Sequence, residues 1–179
     1  MAQELIHLIL TGGTIDSHYD GSKDTAVPNR HSELPRYLNS LRMYVKLKFS
    51  EICMKDSRQL TKTDFRAILK AVEKSPAKSV VVTMGTYLMG DAAKYLNANL
   101  KRQNKTIVFT GSFMPLTGFT ESDAPFNLGY ALAMSQVLPA GVHICMHGAQ
   151  FTPAEVAKNV KIGRFYSVFE KGRKIIKTA

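Results

Sequence analysis

The sequence predicts an α/β protein of three layers: a mostly parallel sheet, helices on both faces, and a C-terminal β-hairpin. Three observations predict it. Short apolar runs rich in Val and Ile alternate with longer stretches of helical period. Several of those runs close on turns of glycine and hydroxyl residues, as "TGGTI" (Thr11–Ile15) closes Leu5–Leu10. The chain has 179 residues, 45% of them hydrophobic and 21% charged, which suits one globular domain with a real core.

Leu5–Leu10 is short, apolar and ended by Gly-Gly, so it reads as a buried strand. Residues 16–30 are polar and hold Gly21 and Pro28, which predicts a long loop. Residues 32–41 carry Leu34, Leu38 and Leu41 at helical spacing. Residues 44–53 alternate, with Val45, Leu47 and Phe49 against Lys46, Lys48 and Ser50, the mark of a half-buried strand. "TKTD" from Thr61 resembles a capping box, and Phe65, Ile68, Leu69 and Val72 then form one apolar helix face. "SVVVT" (Ser79–Thr83) is the clearest buried strand. A helix follows over 91–100, with Asp91 as its expected cap, and then a short strand over 106–110. Asp123 is a natural cap for a helix with Pro125 in its first turn, running to about Gln136. Val142–Met146 is the fifth strand, and residues 165–176 predict a hairpin turning at "EKGR".

Net charge is +10, from 24 Lys and Arg against 14 Asp and Glu. The basic residues are spread over 42–74 and 158–177 without a dense block, and no aromatic-basic RNA signature or zinc spacing accompanies them. A nucleic-acid partner is therefore not expected, nor is a metal or cofactor. No apolar run reaches the length of a membrane span, and "MAQELIHLIL" lacks the build of a signal peptide. Cys53 and Cys145 lie in apolar runs and read as reduced core thiols of a cytoplasmic protein.

In a parallel sheet, ligands bind beyond the carboxyl ends of the strands. The loops at those ends are rich in hydroxyls: Thr11 and Thr14, Ser57, Thr83 and Thr86, Thr110 and Ser112. Backbone N–H groups of Gly-rich turns bind a carboxylate or an oxyanion. A threonine beside them serves as nucleophile where a base activates it. "GGTID" lacks the Lys-Ser/Thr of a phosphate loop, and no G-x-G-x-x-G is present.

Together these segments resemble the catalytic N-terminal domain of the bacterial-type L-asparaginase family, whose sheet is flavodoxin-like. "TGGTI" is similar to the family's first signature, and "TMGTYLMGDAA" to its second, T-H-G-T-D-T-M and a helix. "DSRQLT" resembles the substrate loop D-S-x-D-M-T. "KTIVFTGSFMPLTGFTESDAPFNL" and "VHICMHGAQFTPAEVAKN" resemble two further blocks, and "VFEKGRKI" the element before the interdomain linker. The resemblance implies hydrolysis of L-asparagine to L-aspartate and ammonia through an acyl-enzyme. It implies Thr14 as nucleophile, Thr86 as the second threonine, and Lys158 as the group that draws protons through Thr86. Ser57 would hold the substrate's α-carboxylate, with Gly85 beside it. Beside this reading, a non-catalytic amino-acid-binding module and a hydrolase of another ω-amide both stay open.

The chain departs from that pattern at several places. Tyr87 stands where the family has the aspartate that meets the substrate's α-ammonium, and a phenol carries no such charge at pH 7. Asp56 and Asp91 are the nearest replacements in sequence. Arg58 is a bidentate carboxylate binder or a solvated surface residue. Where the family's loop tyrosine belongs, the chain has about Ala26 and Val27, so Tyr19 is the expected stand-in. Family members continue into a second domain. Residues 1–179 are expected to form a single N-terminal-type domain without it, assembling as a homo-oligomer.

Overall fold

The computed structural model of the protein describes residues 4–169. Its centre is a six-stranded sheet. The strands, in chain order, are β1 (Leu5–Gly12), β4 (Lys46–Lys55), β5 (Ser79–Thr83), β6 (Thr106–Thr110), β7 (Gly141–Met146) and β8 (Ala149–Phe151). Two small antiparallel pairs stand apart from it, β2 (Ser17–Asp20) with β3 (Thr25–Pro28) and β9 (Val156–Asn159) with β10 (Arg164–Ser167). The helices are α1 (Leu34–Ser40), α2 (Lys62–Lys74), α3 (Met89–Asn99) and α4 (Ala124–Val137).

In space the sheet runs β4-β1-β5-β6-β7-β8, parallel throughout except for β8 against β7. The five parallel strands thus have the flavodoxin-like order, second strand outermost and first strand next to it. Period-two alternation divides the core between the two faces. Val80 and Val82 join Ile9, Ile107 and Phe109 under α2 and α3, where Ile68, Val72 and Leu96 are fully buried. Val81 points the other way and joins Ile6, Leu8 and Val108 under α1 and α4, with Leu34, Leu38 and Leu128. The central strands read as unbroken apolar runs because both faces are covered.

Several expectations are corrected. Residues 17–28, expected to be loop, form the β2–β3 hairpin. Its strands are four residues long and mostly exposed, too short and too polar to show a period-two pattern. Leu41 falls just beyond α1 and is exposed. Helix α3 begins earlier than expected, with Leu88 as its cap residue and Asp91 in the first turn. Asp123 makes no capping bond to α4; its carboxylate instead accepts the backbone N–H groups of Phe113 and Met114. The antiparallel pair near the C-terminus is β9–β10, and the expected turn at "EKGR" lies outside the described residues. Thr61 does cap α2, reciprocally with Asp64.

Candidate active site

The connection from β1 runs outward to β4, and that from its other neighbour, β5, runs the opposite way to β6. A crevice opens at such a switch point, beyond the carboxyl ends of the strands. Thr14 follows β1 and Thr86 follows β5, one on each side of it.

Two glycines let these segments meet. Gly13 has φ +82°, and a Cβ there would stand 2.1 Å from the backbone N of Gly85. A Cβ on Gly85 would in turn stand 2.7 Å from the Oγ of Ser57. The Gly13 N–H donates to the carbonyl of Lys55 at 2.9 Å. Three turns, after β1, β4 and β5, are therefore packed backbone to backbone, and any side chain at Gly13 would force them apart. Thr14 opens a short 3-10 turn that continues to Asp16. The buried Asp16 carboxylate anchors this turn by accepting from the Ser32 hydroxyl at 2.6 Å and the Glu33 N–H at 2.8 Å.

Lys158, on β9, donates from Nζ to the Thr86 Oγ1 at 2.6 Å. Thr86 is buried, 6% exposed. Burial pushes the Lys158 ammonium below its ordinary value; the charge of Arg58 adds to this, and that of Asp56 opposes it. The Lys158 ammonium also sits 4.8 Å from the centre of the Phe113 ring. A lysine so placed gives up its proton more readily than one in water, and its neutral amine accepts one from the hydroxyl it touches.

Ser57 is buried, and its Oγ accepts the backbone N–H of Tyr87 at 3.2 Å. The Tyr87 side chain points outward, 59% exposed. Arg58 pairs bidentately with a carboxylate of its own loop. Its Nε donates to Oδ1 of Asp56 at 3.0 Å and its Nη2 to Oδ2 at 3.1 Å. The Arg58 hydrogen bond holds the Asp56 carboxyl below the usual range, against the cost of burial, and Lys158 contributes through its charge. Asp91 and Lys94 of α3 line a cleft of about 240 Å³ together with Thr86, Tyr87, Lys158 and Phe165.

The structure thus joins Thr86 to Lys158, Ser57 to Gly85 and Tyr87, and Asp56 to Arg58. Tyr19 stands apart from these contacts. It is 54% exposed on β2, and its phenol donates a hydrogen bond to Asp24 that raises the tyrosine pKa. Three other loop hydroxyls are held by backbone carbonyls, whereas Thr83 Oγ1 is buried with no hydrogen-bond partner among the described residues. Thr11 donates to the Thr83 carbonyl, Thr110 to that of Cys145, and Ser112 to that of Met114. Among the described residues no group of three or more His, Cys, Asp or Glu is placed to hold a metal ion.

Sequence reasoning missed the aromatic wall behind Lys158. Phe113 stacks on His147 at 5.4 Å between ring centres, and His147 Nε2 lies 2.8 Å from the Asp123 carboxylate. Burial raises the Asp123 carboxyl, but the His147 bond and the two backbone N–H groups outweigh it and hold it low. These residues come from loops after β6 and β7. No spacing in the chain signals their meeting, since it depends on which strands are neighbours.

A protein-family profile described as asparaginase, N-terminal, matches residues 5–166. A glutaminase-asparaginase of Acinetobacter glutaminasificans is 33% identical over 100 residues, an alignment covering 54% of this chain and 30% of that protein. The thermostable L-asparaginase from Thermococcus kodakarensis has a similar fold, with TM-score 0.80 and 24% identity, over 93% of this chain and 52% of that one. A probable cytoplasmic L-asparaginase from Campylobacter jejuni is similar at TM-score 0.78 and 24% identity, over 92% of this chain and 53% of that one. The chain spans about half the length of these solved relatives. With its signatures at the switch point of the sheet and nearly its whole length matched, the chain belongs to the asparaginase family, in the part that forms the family's N-terminal domain.

Proposed function

We propose that the protein is an amidohydrolase that converts L-asparagine to L-aspartate and ammonia through a threonine ester. The observation that carries this reading is the 2.6 Å contact between the Lys158 amine and the Thr86 hydroxyl, in a setting that lowers the lysine pKa. Thr14 attacks the side-chain amide carbon. Its proton passes through Thr86 to neutral Lys158 and returns to the departing nitrogen, which leaves as ammonia. Water, deprotonated along the same path, then hydrolyses the ester and restores Thr14. Ser57 and the packed glycine turns hold the carboxylate end of the substrate, and no metal or cofactor enters the scheme. Tyr19 would contribute only after its phenol leaves Asp24.

Purified protein should release ammonia from L-asparagine, followed by a coupled ammonia assay. Thr14→Ala should lower this to background, because the nucleophile is gone while the fold is kept. Turnover retained by Thr14→Ala would overturn the mechanism.

One observation favours a second reading. Tyr87 brings no charge to the site, and both oxygens of Asp56 are held by Arg58. With Asp91 the remaining carboxylate on the cleft, on α3 rather than at the position of Tyr87, that arrangement suits an ω-amide without an α-ammonium, or an amino-acid-binding module without turnover. Ammonia from another ω-amide but not from L-asparagine would favour the first. Thermal stabilisation by L-aspartate without any turnover would favour the second. We also propose a homo-oligomer, to be checked by sedimentation. A cytoplasmic location accords with Cys53 and Cys145, which are both free.

A further inference from the structure

Lys158 is held from two directions. The Thr86 hydroxyl meets its Nζ at 2.6 Å, and the Phe113 ring lies under it at 4.8 Å. The ring is itself braced. His147 stacks on it with an interplanar angle of 29°, and Phe165 packs against it with ring centres 6.4 Å apart. Phe165 is the cross-strand partner of Lys158 in the β9–β10 pair, so the hairpin brings the ammonium and one wall of the ring's seat together. The opposite wall is fixed by Asp123, which takes His147 Nε2 and the backbone N–H groups of Phe113 and Met114. Asn127 ties the same loops by accepting the His147 N–H at 2.8 Å and donating to the Gly111 carbonyl at 3.0 Å.

We propose that Phe113 is a positioning residue: its braced ring holds the Lys158 side chain on Thr86 and stabilises the charged form of the amine when the proton arrives. The proposal rests on the reading of Lys158 as the group that takes that proton. An ammonium over a ring face is attracted by the ring's negative π cloud, whereas an aliphatic side chain of similar size offers nothing to it. The other groups around Lys158 are Asp56 and Arg58 after β4, Tyr87, and Asp91 and Lys94 on α3. His147 acts from behind the ring. An aliphatic side chain at 113 also loses the contacts of the ring with His147 and Phe165, and Phe113→Tyr is the control that keeps them.

The test is the titration of Lys158 itself. Its rate of acetylation by acetic anhydride is followed against pH by peptide mass spectrometry. Phe113→Leu and Phe113→Met should each lower the apparent pKa of Lys158 by about half to one pH unit. They should also lower kcat on L-asparagine several-fold, leaving KM within about a factor of two. Phe113→Tyr, which keeps the ring, should behave as wild type in both measurements. A wild-type Lys158 titration in either aliphatic variant, folded by circular dichroism, would overturn the proposal. The labelling needs no substrate. A ring-dependent titration in a protein that hydrolyses no amide would therefore defeat the amidohydrolase reading and with it the catalytic part of the proposal, and leave only the hold of the ring on the Lys158 ammonium.

Discussion

His7 shows how a single residue couples burial to pH. It sits on β1, 2% exposed, with its ring nitrogens 2.8 Å from the Ser75 hydroxyl and 2.9 Å from that of Ser50. Burial, helped by Lys48 and Lys105, lowers its pKa from 6.5 to about 4. Between those values the unfolded chain binds the proton and the folded chain does not. Stability from this residue is therefore complete above pH 6.5 and is lost as the pH falls toward 4. The full effect is about 3 kcal/mol. Urea unfolding at pH 7 and pH 4.5 should show most of that loss, and His7→Gln should flatten it. Equal stability of the wild type at the two pH values would refute the assignment. Lys158 follows the same physics with a different outcome, because its depressed pKa meets a hydroxyl at a sheet edge rather than the interior of a strand.

At the scale of elements, helix α2 has its start written into the chain. Thr61 and Asp64 cap it reciprocally, and the Asp64 carboxylate also takes the Lys55 ammonium at 2.8 Å, tying the helix to the end of β4. Thr61→Ala should cost about 1 kcal/mol of stability, read as a lower urea midpoint with an unchanged slope. A shift within error would mean that Asp64 and Lys55 hold the helix start without the threonine. The buried strands and the apolar helix faces were legible because their periods, 2 and 3.6, follow from local geometry. The β2–β3 hairpin was not. Its short polar strands carry no such pattern, and its pairing is fixed partly by Asp16, whose backbone accepts from Asn29 while its side chain holds Ser32 and Glu33. Asp123 misled for a related reason. Its side chain suits a helix cap, yet two backbone N–H groups of a neighbouring loop and the His147 ring compete for it and win.

For the whole molecule, the net charge of +10 raises the question of a nucleic-acid partner. The basic side chains are dispersed along the chain, and some stand in local ion pairs, as Arg58 does with Asp56 and Lys55 with Asp64. Labelled duplex DNA should therefore show no anisotropy change with the protein at about 150 mM salt, where binding by dispersed charge is screened. Tight association falling steeply with salt would reverse this conclusion. No helix among the described residues is long and apolar enough to cross a membrane.

By itself the sequence determined the alternation of strands and helices, the parallel sheet that follows from it, and the hydroxyl-bearing turns at the strand ends. Those features are local, or follow from short-range connection rules. The resemblance of its motifs further pointed to Thr14, Thr86 and Lys158, and the tertiary structure joins the last two. Only the tertiary structure decided what each turn's side chains touch. It turned Thr11, Thr110 and Ser112 to backbone carbonyls, closed Arg58 onto Asp56, and left Tyr19 on Asp24. It also set Phe113 and His147 behind Lys158. The reason is that a site at a switch point is built from loops far apart in the chain, and contacts between them depend on strand order and packing, which no local pattern encodes.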